Sequence, residues 1–121
     1  MKIANVHELA LKQLESGEKV QVLLGRHKQH QATSHHTIAV VELAPGLSSD
    51  PHFHKEREES YFIVSGHGTA EIEDLSFELN PGDLVFAKPN ARHKFINSSE
   101  LPLRYMVITA PTWSPEDSWK D

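Results

Sequence analysis

The spacing of apolar positions changes once along the chain. Val6, Leu9, Ala10 and Leu14 fall near one face of a helix. Asn5 with Glu8 three residues on is a capping-box-like start, and Gly17 is a stop, so this stretch predicts a short helix. From Val20 the period becomes two. Val20, Val22 and Leu24 alternate with Gln21, Leu23 and Gly25, and Ile38, Ala39, Val40, Val41 and Leu43 form a largely β-branched run stopped by Pro45-Gly46. Further strands are predicted at 52–55, 60–65, 69–73, 77–79, 84–87, 93–97 and 103–109. Turn chemistry separates them: Ser65-Gly66-His67-Gly68, Asn80-Pro81-Gly82-Asp83, Lys88-Pro89-Asn90 and Leu101-Pro102. Many short strands spaced in this way predict an all-β sandwich or barrel of at least eight strands, not alternating βαβ units.

A length of 121 residues suits one domain with a real core. The reading is a core over about 36–109, an N-terminal helix and strand over 5–25, and a tail over 110–121. That tail carries Pro111, Trp113, Pro115 and Trp119, and is expected to pack on the barrel or on a partner chain. The absence of cysteine excludes disulfides, thiolate metal sites and a cysteine nucleophile. A net charge of −5 argues against nucleic acid and anionic membranes as partners. No apolar run approaches the ~20 residues of a membrane span. No apolar stretch follows Met1-Lys2-Ile3-Ala4-Asn5, so the expected location is cytoplasmic.

Histidine is the compositional oddity, with nine in the chain. His27, His30, His35 and His36 lie in a polar stretch whose spacing fits no ligand pattern and reads as solvated loop and strand edge. The second group is different. His52 and His54 are two apart in a predicted strand, so both side chains leave one face. Glu59 follows beyond the charged 55–58 segment, and a later hairpin can carry His93 back over the first. Three imidazoles and a carboxylate suit a divalent iron, manganese, nickel, cobalt, copper or zinc ion.

The spacing resembles that of the cupins, in particular the small single-domain members. Their first motif runs Gly, five residues, His-x-His, three or four residues, Glu, six residues, Gly, and is matched by Gly46, His52, His54, Glu59 and Gly66. Their second runs Gly, five residues, Pro-x-Gly, two residues, His, three residues, Asn, and Gly82, His93 and Asn97 fall in register. Two positions depart: proline comes one residue late as Pro89, and Asn90 stands where glycine is expected. Asn tolerates positive φ better than other non-glycine residues, so the turn is expected to survive. The resemblance spans roughly 36–109. It implies a double-stranded β-helix, a jelly-roll barrel, holding one metal ion through His52, His54, Glu59 and His93. Glu58 is the rival carboxylate, but only Glu59 leaves six residues before Gly66.

Alternation places Tyr61 and Ile63 on the face of Glu59, and Phe95 and Asn97 on that of His93. Tyr61 is the weak candidate for a role beside the metal, while Phe95 reads as packing. Ile38, Val40, Leu84 and Phe86 are expected in the core or pocket wall, and His67 in an exposed turn. A His₃Glu site on an octahedral ion leaves two adjacent positions for a small polar chelating molecule. The expectation is a metal-dependent enzyme, with oxygenase chemistry as the first reading and isomerase or lyase chemistry beside it. The alternative from another class is a non-catalytic ligand-binding or sensing domain. A homodimer is expected, with Val20–Leu24 and the tryptophan-bearing tail as candidate interfaces.

Overall fold

The computed structural model describes residues 3–26 and 32–113. His27, His30 and Trp119 lie outside the described residues. Nine strands form two antiparallel sheets: β1 (Lys12–Gln13), β2 (Lys19–Leu24), β3 (Thr37–Leu43), β4 (Glu58–Ser65), β5 (Gly68–Ile72), β6 (Leu75–Leu79), β7 (Leu84–Ala87), β8 (His93–Ile96) and β9 (Leu103–Ala110). The larger sheet runs β1-β2-β3-β9-β4-β7 and the smaller β6-β5-β8. Apart from one N-terminal turn the described chain has no helix, so the expected all-β jelly-roll architecture is present.

The interior is built by alternation. Thr37, Ala39, Val41 and Leu43 of β3 lie directly opposite Thr109, Val107, Tyr105 and Leu103 of β9, and all eight are buried. On the far side of β9, Glu59, Tyr61 and Ile63 of β4 continue the same rows. Phe95, Ala70, Leu79 and Ala87 complete the core. Gly66 makes the turn after β4 at φ 87°, and a Cβ there would stand 2.3 Å from the Pro102 carbonyl oxygen. Only glycine fits that close approach.

The N-terminal helix shortens to a single 3-10 turn, Val6–Glu8, capped by Asn5, whose side chain accepts from the His7 N–H at 2.9 Å. Beyond it the chain extends to pair as β1, and Gly17 at φ 101° serves the hairpin between β1 and β2 rather than a helix end. Sheet pairing has overridden a weak local periodicity. Of the strand expected at 52–55 only the bridge residues His52 and Phe53 remain, with His52 paired to His93. Pro51 has no N–H to give a ladder, so the segment follows β8 irregularly. Leu84 and Phe86 are corrected outright. They are 64% and 49% exposed, because β7 turns Val85 and Ala87 inward instead. Ile38 and Val40 share the outward side of the sheet as well, although Val40 is buried there.

Candidate metal centre

Four donor-bearing side chains converge between the sheets. Glu59 projects inward from β4, His93 opens β8, and His52 and His54 come from the irregular segment beside it. Two backbone bonds in opposite directions, His52 N–H to the His93 carbonyl and the reverse, at 3.1 and 2.9 Å, fix that segment on β8. Asn90 makes the turn that leads into β8 at φ 69°, the positive φ that its place in the motif demands, and its N–H donates to the His54 carbonyl. One ligating atom from each of His52, His54, Glu59 and His93 lies within 4.8 Å of every other, so this group can hold a metal ion. Glu58 is exposed on the opposite side of β4.

The protons on the rings support that reading. His52 Nδ1 lies 2.8 Å from the Asp50 carbonyl, and His93 Nδ1 lies 2.9 Å from that of Ala91. A carbonyl only accepts, so Nδ1 of each ring carries a proton and Nε2 is the nitrogen turned inward, free to offer its lone pair to a metal ion. Burial first, and the neighbouring His93 second, push His52 down to about 4, so it is neutral at physiological pH. Burial alone would raise the Glu59 carboxyl. The His54 and His93 rings that close on it, and after them the Tyr61 hydroxyl, overcome that and hold it well below the usual carboxylate range. His54 Nε2 stands 2.8 Å and His93 Nε2 3.2 Å from Glu59 Oε1. A carboxylate and inward-facing ring nitrogens brought so close together in a buried place form a donor set of the kind that can hold a cation.

Two hydroxyls hold the carboxylate. Tyr61 donates to Glu59 Oε1 at 2.6 Å and also lies 2.8 Å from His93 Nε2. Thr109 donates to Oε2 at 2.8 Å. Burial, reinforced by the charge of Glu59, pushes the Tyr61 hydroxyl well above its ordinary value, so it remains a donor. Sequence reading missed Thr109, since its approach depends on the β4–β9 register, in which it lies opposite Glu59. Asn97 has no place at the site. Its amide donates to the Leu43 and Leu101 carbonyls and pins the loop after β8. His67 is exposed, with its Nδ1 3.0 Å from Asn80 Oδ1.

The donor group opens on one side. His54 and His93 are 3% and 2% exposed, behind the others. His52 and Glu59 reach the wall of a cavity of about 610 Å³. Val22, Ala39, Val107, Phe95 and Tyr105 give that cavity a largely apolar wall, with Lys12, Glu18 and Arg26 also lining it.

The comparisons agree with this geometry. The cupin domain family model matches residues 39–109. An acireductone dioxygenase of Bacillus thuringiensis is 33% identical over 94 residues, covering 68% of this chain and 55% of that protein. Another acireductone dioxygenase, from Exiguobacterium sibiricum, is 47% identical over 69 residues, or 51% of this chain and 38% of that one. The chain thus spans about half the length of the curated relatives that it matches. A predicted oxalate decarboxylase from Thermotoga maritima shares the fold with a TM-score of 0.82 at 19% identity, covering 91% of this chain and 99% of that one. With its barrel and its family match over more than half its length, this chain belongs to the cupin domain family.

Proposed function

We propose that the chain is a metal-dependent cupin enzyme acting on a small molecule with a chelating oxygen pair and an apolar body. The observation that carries this reading is the opening of the donor group, through His52 and Glu59, into a roomy, apolar-walled cavity. A structural metal is normally closed off by its ligands, whereas a catalytic one keeps an accessible side. The cavity wall also changes the expected substrate. A wholly polar molecule would leave Val22, Ala39 and Val107 without a partner, while an apolar body fills that space and leaves the oxygens for the donor end.

His52, His54, Glu59 and His93 would hold a divalent transition ion, which supplies Lewis-acid polarisation of the bound oxygens. Tyr61 keeps its proton and presents it at Glu59 Oε1, where it can donate to an oxygen that arrives beside the carboxylate. The apolar wall orients the body and displaces water. Oxygen-dependent chemistry is the first assignment, supported by the acireductone dioxygenase relatives.

The test is a screen of enediols, α-hydroxyketones and catechols with apolar substituents against protein loaded with each candidate metal, with dioxygen uptake monitored. Uptake that is coupled to product and lost in His54→Ala supports the reading. Product formed without dioxygen moves the assignment to isomerase or lyase chemistry. Saturable binding with no turnover under any metal overturns the enzyme reading in favour of a ligand-binding domain.

A further inference from the structure

Both tyrosines of the chain stand in the cavity wall, and the donor group engages one of them. Tyr61 gives its hydroxyl to Glu59 and His93. Tyr105 projects inward from β9, opposite Val41 and Ile63, and is 2% exposed. Among the described residues no hydrogen bond reaches its hydroxyl, and that oxygen is not sealed away from the cavity. A hydroxyl kept in an apolar wall with no protein partner destabilises the fold, and phenylalanine would fill the same place without it. Ligand cavities hold such groups to orient what enters.

Packing and charge say what the hydroxyl can meet. The Tyr61 ring lies 5.5 Å from that of His93 and 5.9 Å from that of Tyr105, centre to centre, so Tyr105 stands one ring farther from the donor group. Burial first, then the charge of Glu18 and then that of Glu59, push the Tyr105 hydroxyl well above its ordinary value. It keeps its proton and serves as a donor. Glu18 lies in the hairpin just before β2, half-buried, and lines the same cavity. It accepts from the Ser16 hydroxyl at 2.5 Å, and a carboxylate has room for further donors. The remaining charged residues of the wall, Lys12 and Arg26, are exposed, where water and salt screen them.

We propose that Tyr105 and Glu18 form a second recognition point of the cavity, which takes a neutral hydroxyl carried on the apolar body of the substrate. That hydroxyl accepts from Tyr105 and donates to Glu18. A methyl group in its place leaves Tyr105 without a partner, and a carboxylate meets the like charge of Glu18 away from water. The substrate class narrows to a chelating oxygen pair joined through an apolar body to an alcohol. This rests on the metal-dependent reading above and adds selectivity to it, since Tyr105 touches no reacting atom.

The test uses the metal-loaded full chain and catechols that differ only in their substituent: propyl, hydroxypropyl or carboxyethyl. Dissociation constants are measured by calorimetry without dioxygen. Wild type should bind the hydroxypropyl catechol about 10-fold more tightly than the propyl one, and the carboxyethyl one about 10-fold more weakly. Tyr105→Phe should bind the propyl and hydroxypropyl catechols within about twofold of each other, with the propyl one bound as in wild type. Its melting temperature without ligand should stay the same or rise. Glu18→Gln should bind the carboxyethyl catechol about 10-fold more tightly than wild type does. Equal binding of the propyl and hydroxypropyl catechols by wild type overturns the proposal and leaves the metal-dependent reading standing, and this comparison needs no variant. A preference that persists in Tyr105→Phe overturns it too. So does a fall of several degrees in the melting of that variant, which would make the hydroxyl a structural group. Tightest binding of the carboxyethyl catechol by wild type would assign the cavity to Lys12 and Arg26 instead. Failure of all the catechols to bind overturns this proposal and the reading beneath it together.

Discussion

Thr109 and Glu59 face each other across the β9–β4 pair, and the threonine hydroxyl donates to Glu59 Oε2 at 2.8 Å while Tyr61 occupies Oε1. The carboxylate is thereby fixed before any ion arrives, which is the usual work of groups behind a metal ligand. Thr109→Val removes the hydroxyl at nearly constant volume and leaves a buried carboxylate oxygen short of a donor. The variant should lose about 1–3 kcal/mol in denaturant unfolding and bind metal about 10-fold more weakly in chelator competition. Thr109→Ser should recover most of both.

Acid should destabilise the metal-free protein through His52. Its folded value is lowered to about 4 from an ordinary 6.5. Between those values the unfolded chain binds a proton that the folded chain refuses, so stability is complete above 6.5 and is lost as pH falls towards 4. The full shift corresponds to about 3 kcal/mol. Glu59, held low, adds a loss in the same direction as pH falls further. Urea midpoints from pH 7.5 to 4 should show this slope, and His52→Gln should flatten it. With metal present, protons compete for the imidazoles and release should be steeper than one proton per ion.

Two motif glycines should behave differently. Gly66→Ala meets both a positive φ and the Pro102 carbonyl at 2.3 Å, and should cost at least about 2 kcal/mol. Gly82 has a similar φ of 94° but nothing within 4 Å of an added Cβ, so Gly82→Ala should cost about 1 kcal/mol. Thermal unfolding of the pair measures the difference.

Much of this was legible in the chain. Period-two runs gave β3, β4, β7 and β9 within a residue or two, because each buries one face, and turn pairs marked their ends. His52, His54, Glu59 and His93 stood out because a strand spacing and a motif spacing coincided on them, and the fold brings their donor atoms together. Asn90 was legible for the same reason, since the motif asks for positive φ and Asn supplies it. The misses concern facing and register. The apolar character of Leu84 and Phe86 pointed inward, but composition does not say which side of a strand meets the core when both sides are apolar. Thr109 lies 50 residues from Glu59 and is brought there only by strand pairing. The N-terminal helix shrank because pairing of Lys12–Gln13 with β2 outweighed a periodicity of four residues.

The most direct measurement is the metal content of protein purified without chelators, wild type against His54→Ala, with His67→Ala and His36→Ala as controls. The donor group described here predicts one ion per chain in wild type and both controls, and loss of stoichiometric metal in His54→Ala. Metal retained in His54→Ala and lost in His36→Ala would contradict it and move the site to the polar histidine stretch.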